Sequence, residues 1–114
     1  MPNYLVTLQA AWLVRKAKSP IDAMNIAVAE VGKRLNPDLS NVRIDVGDTE
    51  CPKCGSALKS VFLVANTALV GLVLEMKVFN ATSKEHAAKI AKVEIGKRLQ
   101  DVPLEIVEVS EIKQ

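Results

Sequence analysis

Apolar and polar residues follow two patterns along the chain, one typical of strands and one of helices. Segments rich in valine and leucine at residues 4–14 and 69–79 predict two long strands, and alternating segments at 42–46 and 106–109 predict two closing strands. Between them, small and apolar residues recur every fourth position, which predicts two amphipathic helices. The predicted buried helix positions are Ala23, Ala27, Val31 and Leu35 in the first helix and Ala87, Ala91, Ile95 and Leu99 in the second.

Both helices begin and end at sequence signals. Ser19 precedes Pro20, which predicts an N-cap followed by a proline at the first helical position, and Ser83 predicts the second N-cap. Residues 36–38, with the sequence Asn-Pro-Asp, stop the first helix, and Pro103 follows the second. Lysine and arginine close both helices, where cations interact favourably with the helix dipole.

The chain contains the same pattern twice, at an offset of 64 positions. Residues 5–35 and 69–99 carry the same amino acid at 14 of 31 aligned positions, far more than chance gives for one offset. The matches include Gly32 and Gly96, which lie inside the predicted helices, where glycine costs about 1 kcal/mol relative to alanine. We therefore expect each helix to approach the sheet, or the other helix, closely at its glycine.

Two strand–helix–strand units in one small chain predict an α+β fold with both helices on one face of a sheet. The nearest standard plan is the ferredoxin-like βαββαβ sandwich, here internally duplicated and with an extra strand after a cysteine motif. The single domain, residues 1–114, divides into repeat one at 4–47, the motif and extra strand at 48–67, and repeat two at 68–110. Because an extra strand reverses the chain direction, we expect both helices to begin at the same end of the sheet as the loop around Cys51.

Composition supports one globular domain and bears on where in the cell the protein occurs. Of 114 residues, 49% are apolar and 25% charged, and 15 basic against 13 acidic side chains give a net charge of +2. This balance indicates no strong basic surface, so nucleic acid binding is unsupported. No basic segment precedes an apolar one at the N-terminus, and the longest apolar segment, 61–74, is shorter than the roughly 20 residues a bilayer requires. We interpret that segment as two buried strands and expect a cytoplasmic protein that binds no membrane.

No catalytic arrangement is recognisable in the sequence. The chain holds no glycine-rich phosphate loop, no H-E-x-x-H and no G-x-S-x-G segment, and a single histidine excludes most histidine-based acid–base schemes. Acidic residues group at 45–50 and at 105–111, where we expect solvated surfaces. Enzymatic activity is therefore not indicated.

The most specific chemical signal is the segment Cys-Pro-Lys-Cys-Gly at residues 51–55. Two cysteines separated by two residues are typical of a zinc knuckle, in which both sulfurs reach one ion at about 2.3 Å. Proline restricts the turn, glycine after the second cysteine permits a tight backbone, and the lysine charge favours thiolates. We therefore predict Cys51 and Cys54 as ligands of a structural zinc ion.

A structural zinc ion takes four ligands, so this cysteine pair leaves two positions to be filled. Two chains that each donate Cys51 and Cys54 would complete a four-sulfur site between subunits. Alternatively, one chain adds its only histidine, His86, and a carboxylate or water, although His86 is also interpretable as an exposed first-turn residue. With no metal, the pair is a redox dithiol or an inert turn. Redox chemistry is disfavoured because thioredoxin-type pairs lie at a helix N-terminus, whereas this pair lies between predicted strands.

Four segments of the chain, residues 8–14, 32–37, 51–55 and 66–79, resemble a small uncharacterised archaeal family that carries a Cys-Pro-x-Cys-Gly knuckle and occurs in methanogens and related archaea. The resemblance spans essentially the whole chain. It implies an archaeal cytoplasmic origin. It implies no activity, because the function of the family is unknown.

The sequence leaves the biochemical function unknown and favours three hypotheses. The first is a non-enzymatic, zinc-stabilised homodimer that serves as a binding or assembly module. In such a dimer, a second subunit covers the sheet face that the helices leave open, and two knuckles meet near a twofold axis. The second is a small-molecule-binding sensor, by analogy of fold alone. The third is a dithiol redox protein that uses Cys51 and Cys54.

Overall fold

Seven strands and two helices make up the part of the chain that the structure describes. The computed structural model describes residues 3–35, 42–50, 52–99 and 102–112. In chain order the elements are β1 (Asn3–Arg15), α1 (Pro20–Leu35), β2 (Val42–Val46), β3 (Asp48–Glu50), β4 (Ala57–Lys59), β5 (Val61–Val64), β6 (Thr67–Val78), α2 (Lys84–Arg98) and β7 (Leu104–Ile112). The long strands and both helices occur where the apolar pattern predicts them.

β1 and β6 lie side by side at the centre of the main sheet and determine which residues are buried. They pair antiparallel without interruption from Tyr4 opposite Val78 to Arg15 opposite Thr67. The even-numbered residues of both strands are buried, and the odd-numbered residues are half-buried or exposed. Because side chains alternate across a strand, this register gives the sheet an apolar inner face and an opposite face, here called the open face.

The helices cover the inner face and form the core with it. The main sheet has the order β2–β6–β1–β7, with every neighbouring pair antiparallel, so the chain has a mixed α+β fold. All eight predicted helix positions are buried, which confirms the predicted helix faces. No polar or charged residue is buried among those the structure describes. The core is therefore held by apolar burial, worth about 25 cal/mol per Å² removed from water.

Both helices start at the predicted caps. The backbone N–H of Asp22 donates to Ser19 Oγ at 3.1 Å, and that of His86 donates to Ser83 Oγ at the same distance. These bonds satisfy amides that the first turn of a helix leaves without a helical partner. The stop predicted for the first helix at residues 36–38 lies outside the described residues, and α1 ends immediately before it.

A strand follows the cysteine motif, as predicted, but it adds no new position to the sheet. β2 pairs with residues 72–76 of β6, and β5 pairs with residues 67–70 of the same strand. Because β1 occupies the other side of β6, β2 and β5 lie on one line along a single edge. Backbone hydrogen bonds join the two pieces through Gly47, Ser60 and Gly71, at 2.7 to 2.8 Å. The chain leaves this edge after β2, forms β3 and β4, and returns as β5.

The prediction that both helices begin at the same end of the sheet is wrong. It assumed that the strand after the motif reverses the chain direction once more. β5 instead continues in the direction of β2, because both run antiparallel to β6. β1 and β6, which lead into α1 and α2, are consequently antiparallel to each other. The two helices therefore begin at opposite ends of the sheet.

β5 is also less buried than the apolar segment 61–74 predicts. A two-residue turn at Ala65 and Asn66, both with positive φ, connects it to β6, as expected for a tight hairpin. The inward side chains of β5 pack against the core, but Phe62 is 59% exposed and Val64 is 75% exposed. Only β6 of the two predicted strands has a fully buried face.

The helix glycines lie against the closing strands, but the space around them would also admit a larger residue. A Cβ atom added at Gly32 would lie 3.9 Å from Cδ1 of Ile44, and one added at Gly96 would lie 3.8 Å from Cδ1 of Leu104. These are ordinary van der Waals distances, so the expected close approach is not tight enough to exclude a methyl group. Gly71 differs, because its added Cβ would lie 2.8 Å from the Cβ of Ser60.

We expect Gly32→Ala and Gly96→Ala each to raise the free energy of unfolding by about 0.5–1 kcal/mol. Alanine forms helix better than glycine, and the added methyl group meets only ordinary contacts. Urea denaturation measures the change. Gly71→Ala is the control in a strand, and it should lower the stability because its Cβ collides with Ser60. A loss of stability in either helix variant would contradict this packing.

Candidate functional site

The cysteine motif is carried by a short hairpin that leaves the sheet between β2 and β5. This knuckle hairpin, residues 48–59, consists of β3 and β4, which pair antiparallel. At its root, Lys59 Nζ lies 3.4 Å from Asp48 Oδ1, and Thr49 Oγ1 lies 2.6 Å from Ser60 Oγ. All residues of β4 are exposed. The hairpin is therefore positioned by local bonds and by its attachment to the sheet edge, and not by burial.

The tip of the knuckle hairpin exposes the second cysteine. Cys54 is exposed, and its Sγ lies 3.1 Å from Ser56 Oγ, close enough for a hydrogen bond to sulfur. Gly55 has a φ of 73°, so the glycine after the second cysteine adopts a left-handed backbone, which a tight turn at this position can use. Cys51, the other predicted ligand, lies outside the described residues.

The only histidine in the sequence is used at the start of α2. His86 is exposed, and its Nδ1 lies 3.1 Å from both the backbone nitrogen and the Oγ1 of Thr82. In α1, 64 positions earlier, the Oδ2 of Asp22 accepts the corresponding bond from the backbone N–H of Lys18 at 3.0 Å. His86 thus does with a ring nitrogen what Asp22 does with a carboxylate. Within the described ranges, no three Cys, His, Asp or Glu side chains are grouped to hold a metal ion.

The arginines at the helix ends contact neighbouring groups of the same chain. The guanidinium carbon of Arg34 lies 5.0 Å from the centroid of the Trp12 ring, a cation–π distance, and Trp12 Nε1 donates to Glu30 Oε2 at 3.3 Å. At the end of α2, Arg98 Nη1 donates to the backbone oxygen and the Oε2 of Glu94, at 2.8 and 3.1 Å. Trp12 itself is buried. These contacts account for the helix-end arginines without an external anion.

A groove crosses the open face beside the root of the knuckle hairpin. It has a volume of about 410 Å³ and runs over Ala11 and Gly71, which face each other across β1 and β6. Ser60 stands at one end, and Pro103 and Glu105 line the other. A glycine inside a strand marks a place where another group approaches the backbone closely. The groove is not predicted from the sequence, although Gly71, a glycine inside a predicted strand, is a signal that indicates it.

Three exposed apolar side chains form a row next to the groove. Leu13 lies opposite Leu69, which lies opposite Phe62, so the row crosses β1, β6 and β5 at one level. Their exposed fractions are 53%, 45% and 59%. We call this row the apolar ridge. Exposed apolar side chains that adjoin one another mark interaction surfaces more often than isolated ones do.

The described residues thus define a small α+β protein with helices on one face of an antiparallel sheet, an open face opposite, and a cysteine-bearing hairpin at one edge. A family model described as "Protein of unknown function (DUF555)" matches residues 4–112. The chain therefore belongs to the DUF555 family, whose function is unknown, and the resemblance to a small archaeal family is confirmed.

Similar proteins occur across archaea. The chain is 73% identical over 113 residues to a UPF0212 protein of Archaeoglobus fulgidus, covering 99% of this chain and 100% of the relative. A UPF0212 protein of Methanocella arvoryzae is 58% identical, with 97% and 98% covered, and one of Methanoregula boonei is 54% identical, with 98% and 100% covered. Among solved structures, a chain titled "De novo designed protein Foldit4" aligns with a TM-score of 0.27 at 11% identity, over 98% of both chains.

Neither helix of the described chain has the length and apolar character needed to cross a membrane.

We expect His86→Ala to lower the free energy of unfolding by about 0.5–1 kcal/mol, because the backbone N–H of Thr82 loses its acceptor. His86→Asp should restore the stability at neutral pH, since a carboxylate accepts the same bond and suits the positive end of the helix dipole. Thermal and urea unfolding measure both changes. Asp22→Ala is the matched variant in α1 and should lose a similar amount. A His86→Ala protein as stable as the original would show that the ring nitrogen contributes no cap.

Proposed function

We propose that this protein is a non-enzymatic assembly module, a homodimer stabilised by a zinc ion that Cys51 and Cys54 of both chains bind. The observation that carries the proposal is the placement of the second cysteine. Cys54 is exposed at the tip of a hairpin that stands out from the sheet edge, where a second chain can reach it. A ligand pair meant to be completed within one chain would face the side chains of that chain.

The chemistry of the ion favours a site between two chains. Zinc in structural sites is four-coordinate and tetrahedral, and thiolates are among its preferred ligands. One Cys-x-x-Cys pair provides two of the four positions, and the sequence contains no further cysteine. His86 lies at the start of α2 and is occupied as a helix cap, which makes it a poor candidate for the third ligand. A second copy of the motif provides the missing sulfurs without any other residue.

The position of the pair also argues against a redox role. Reactive cysteines of the thioredoxin type are activated by the N-terminus of a helix. Here Cys54 lies in the turn between β3 and β4, and the next described helix in the chain begins only at Lys84. The position of Cys54 therefore differs from that of a thioredoxin-type cysteine, whereas a metal ion would itself favour the thiolate form.

The proposal extends to the origin of the fold. A ferredoxin-like sandwich that arose by duplication of a strand–helix–strand unit accounts for the sheet order and for the identities at an offset of 64. Positions 64 apart play corresponding structural roles in several places. Lys16 and Asn80, which follow the long strands, both have positive φ, and Ser19 and Ser83 both cap helices. The knuckle hairpin is then an insertion within the second strand of the plan, which it divides into β2 and β5.

Elemental analysis and light scattering on the purified chain test the zinc proposal. We expect a dimer with about 0.5 zinc per chain, since four thiolates complete one site. Cys54→Ser and Cys51→Ser should each lose the metal and shift the chain toward the monomer. His86→Ala is the matched control and should retain both zinc and the dimer.

Two results would contradict the proposal. One zinc per monomer that is lost in His86→Ala would assign the site to a single chain. Metal-free protein with a reversible Cys51–Cys54 disulfide would favour the redox hypothesis.

A further inference from the structure

The open face carries an apolar ridge and a groove side by side, at neighbouring levels of the sheet. The apolar ridge is formed by Leu13, Leu69 and Phe62. Two residues along β1 and β6 from the ridge, the side chains shrink to those of Ala11 and Gly71, and the groove of about 410 Å³ lies above them. Because same-face residues in a strand are two positions apart, ridge and groove are separated by about 7 Å.

The charges on either side of this boundary have opposite sign. One level beyond the ridge, Arg15 ends β1, and Lys16 and Lys18 follow it, all exposed. One level beyond the groove, Asp45 lies at the β2 edge and Glu105 at the β7 edge, both exposed and both at the level of residues 9 and 73. Asp45 already forms an ion pair of 3.0 Å with Arg43 on the same strand, so the charge contrast rests mainly on Glu105. The order along the face is therefore cationic level, apolar ridge, groove, acidic level.

We propose that the open face docks onto the same face of a second copy, about a twofold axis that crosses the strands between ridge and groove. Rotation by 180° about that axis exchanges the two levels next to it. The ridge of each chain then occupies the groove of its partner, and the cationic level of each chain meets the acidic level of the other. An axis along the strands would instead place cations over cations, which costs energy.

The position of the axis determines how much of the face is buried. With the axis between residues 11 and 13 of β1, levels 9 to 15 of the two chains overlap, and strands about 4.8 Å apart that rise about 3.4 Å per residue give roughly 350 to 450 Å² there, three to four strands wide. Standard interfaces bury about 800 Å² on each partner, so the sheet contact alone is small and the shared zinc site adds to the association. Facing sheets pack about 10 Å apart with their strands within about 30° of each other, which tolerates the twist of both sheets.

This inference rests on the proposed function and adds the geometry by which two knuckles meet. Gly47 and Ser60, at the root of the knuckle hairpin, are bonded to Gly71 at the level of the groove. The axis therefore leaves the sheet at the edge where the hairpin is attached. Rotation about it keeps both hairpins on the same edge of the dimer, one on each side of the axis. The partner's Cys54 is thereby brought to the same edge of the dimer as Cys54 of the first chain.

A charge exchange tests the docking geometry. Arg15→Glu and Glu105→Arg should each raise the dimer dissociation constant at least about tenfold, because each creates two like-charge contacts across the axis. The double variant should return the constant to near the original value. Within one chain these two residues lie six strand positions apart, about 20 Å, so recovery arises only between copies. Sedimentation equilibrium measures the constant, and Lys92→Glu, exposed on α2, is the control that should leave it unchanged.

A ridge variant separates this inference from the zinc proposal. Leu69→Gln should be folded but monomeric, whereas Val93→Gln, on α2 and 47% exposed against 45% for Leu69, should remain dimeric. Circular dichroism and urea unfolding verify that both variants fold.

A monomeric Leu69→Gln protein supports the docking even if the original dimer holds no zinc, in which case only the zinc proposal fails. A zinc-bound dimer that persists in Leu69→Gln, or single charge variants that leave the constant unchanged, would overturn the docking and leave the zinc proposal standing. A chain that is monomeric throughout would overturn both.

Discussion

The antiparallel pairing of β1 with β6 is the constraint on which the rest of the structure depends. Twelve consecutive residue pairs hold the two strands in a single register, from Tyr4 opposite Val78 to Arg15 opposite Thr67. A slip of one position would move every buried side chain of one strand to the open face. The core would lose these apolar side chains, and the free energy gained by burying them would be lost. The same register places Leu13 beside Leu69 and Ala11 beside Gly71, so it builds the open face and the core together.

The parts of the fold that the sequence predicts are those set by local periodicity. The helix faces, the caps at Ser19 and Ser83 and both long strands follow from spacing within one segment. The position of β5 does not, because which edge a strand joins depends on a partner that lies elsewhere in the chain. The alternation of β5 is compatible with a new strand or with a continuation of β2, and only the pairing with residues 67–70 of β6 distinguishes them. The direction of the helices was mispredicted for the same reason.

The candidate site divides in the same way. The cysteine motif is a local signal, and the tight backbone expected at its glycine agrees with the positive φ of Gly55. The ridge and the groove combine residues from several strands at a level that the sheet register defines, so no spacing along the sequence shows them. His86 illustrates the converse case. The sequence makes this lone histidine a candidate zinc ligand, whereas the structure gives it the capping role that Asp22 has in α1.

The differences between the two halves of the chain are concentrated on the open face, and this bears on the docking geometry that we propose. We compare each residue of β1 with the residue of β6 that lies 64 positions later. The identical pairs, such as Val6 and Val70 or Leu8 and Leu72, lie mainly on the inner face. On the open face, the row of Leu13 and Leu69 corresponds to the row of Lys77 and Leu5, and the row of Ala11 and Gly71 corresponds to that of Glu75 and Thr7. A sheet with two equivalent halves would offer two equivalent ridges and grooves and therefore several ways to pair with a copy of itself. Packing against the helices keeps the inner positions alike, whereas the open positions are free to differ. Their divergence leaves one ridge, one groove and one order of charges, which is what a single register between two chains requires.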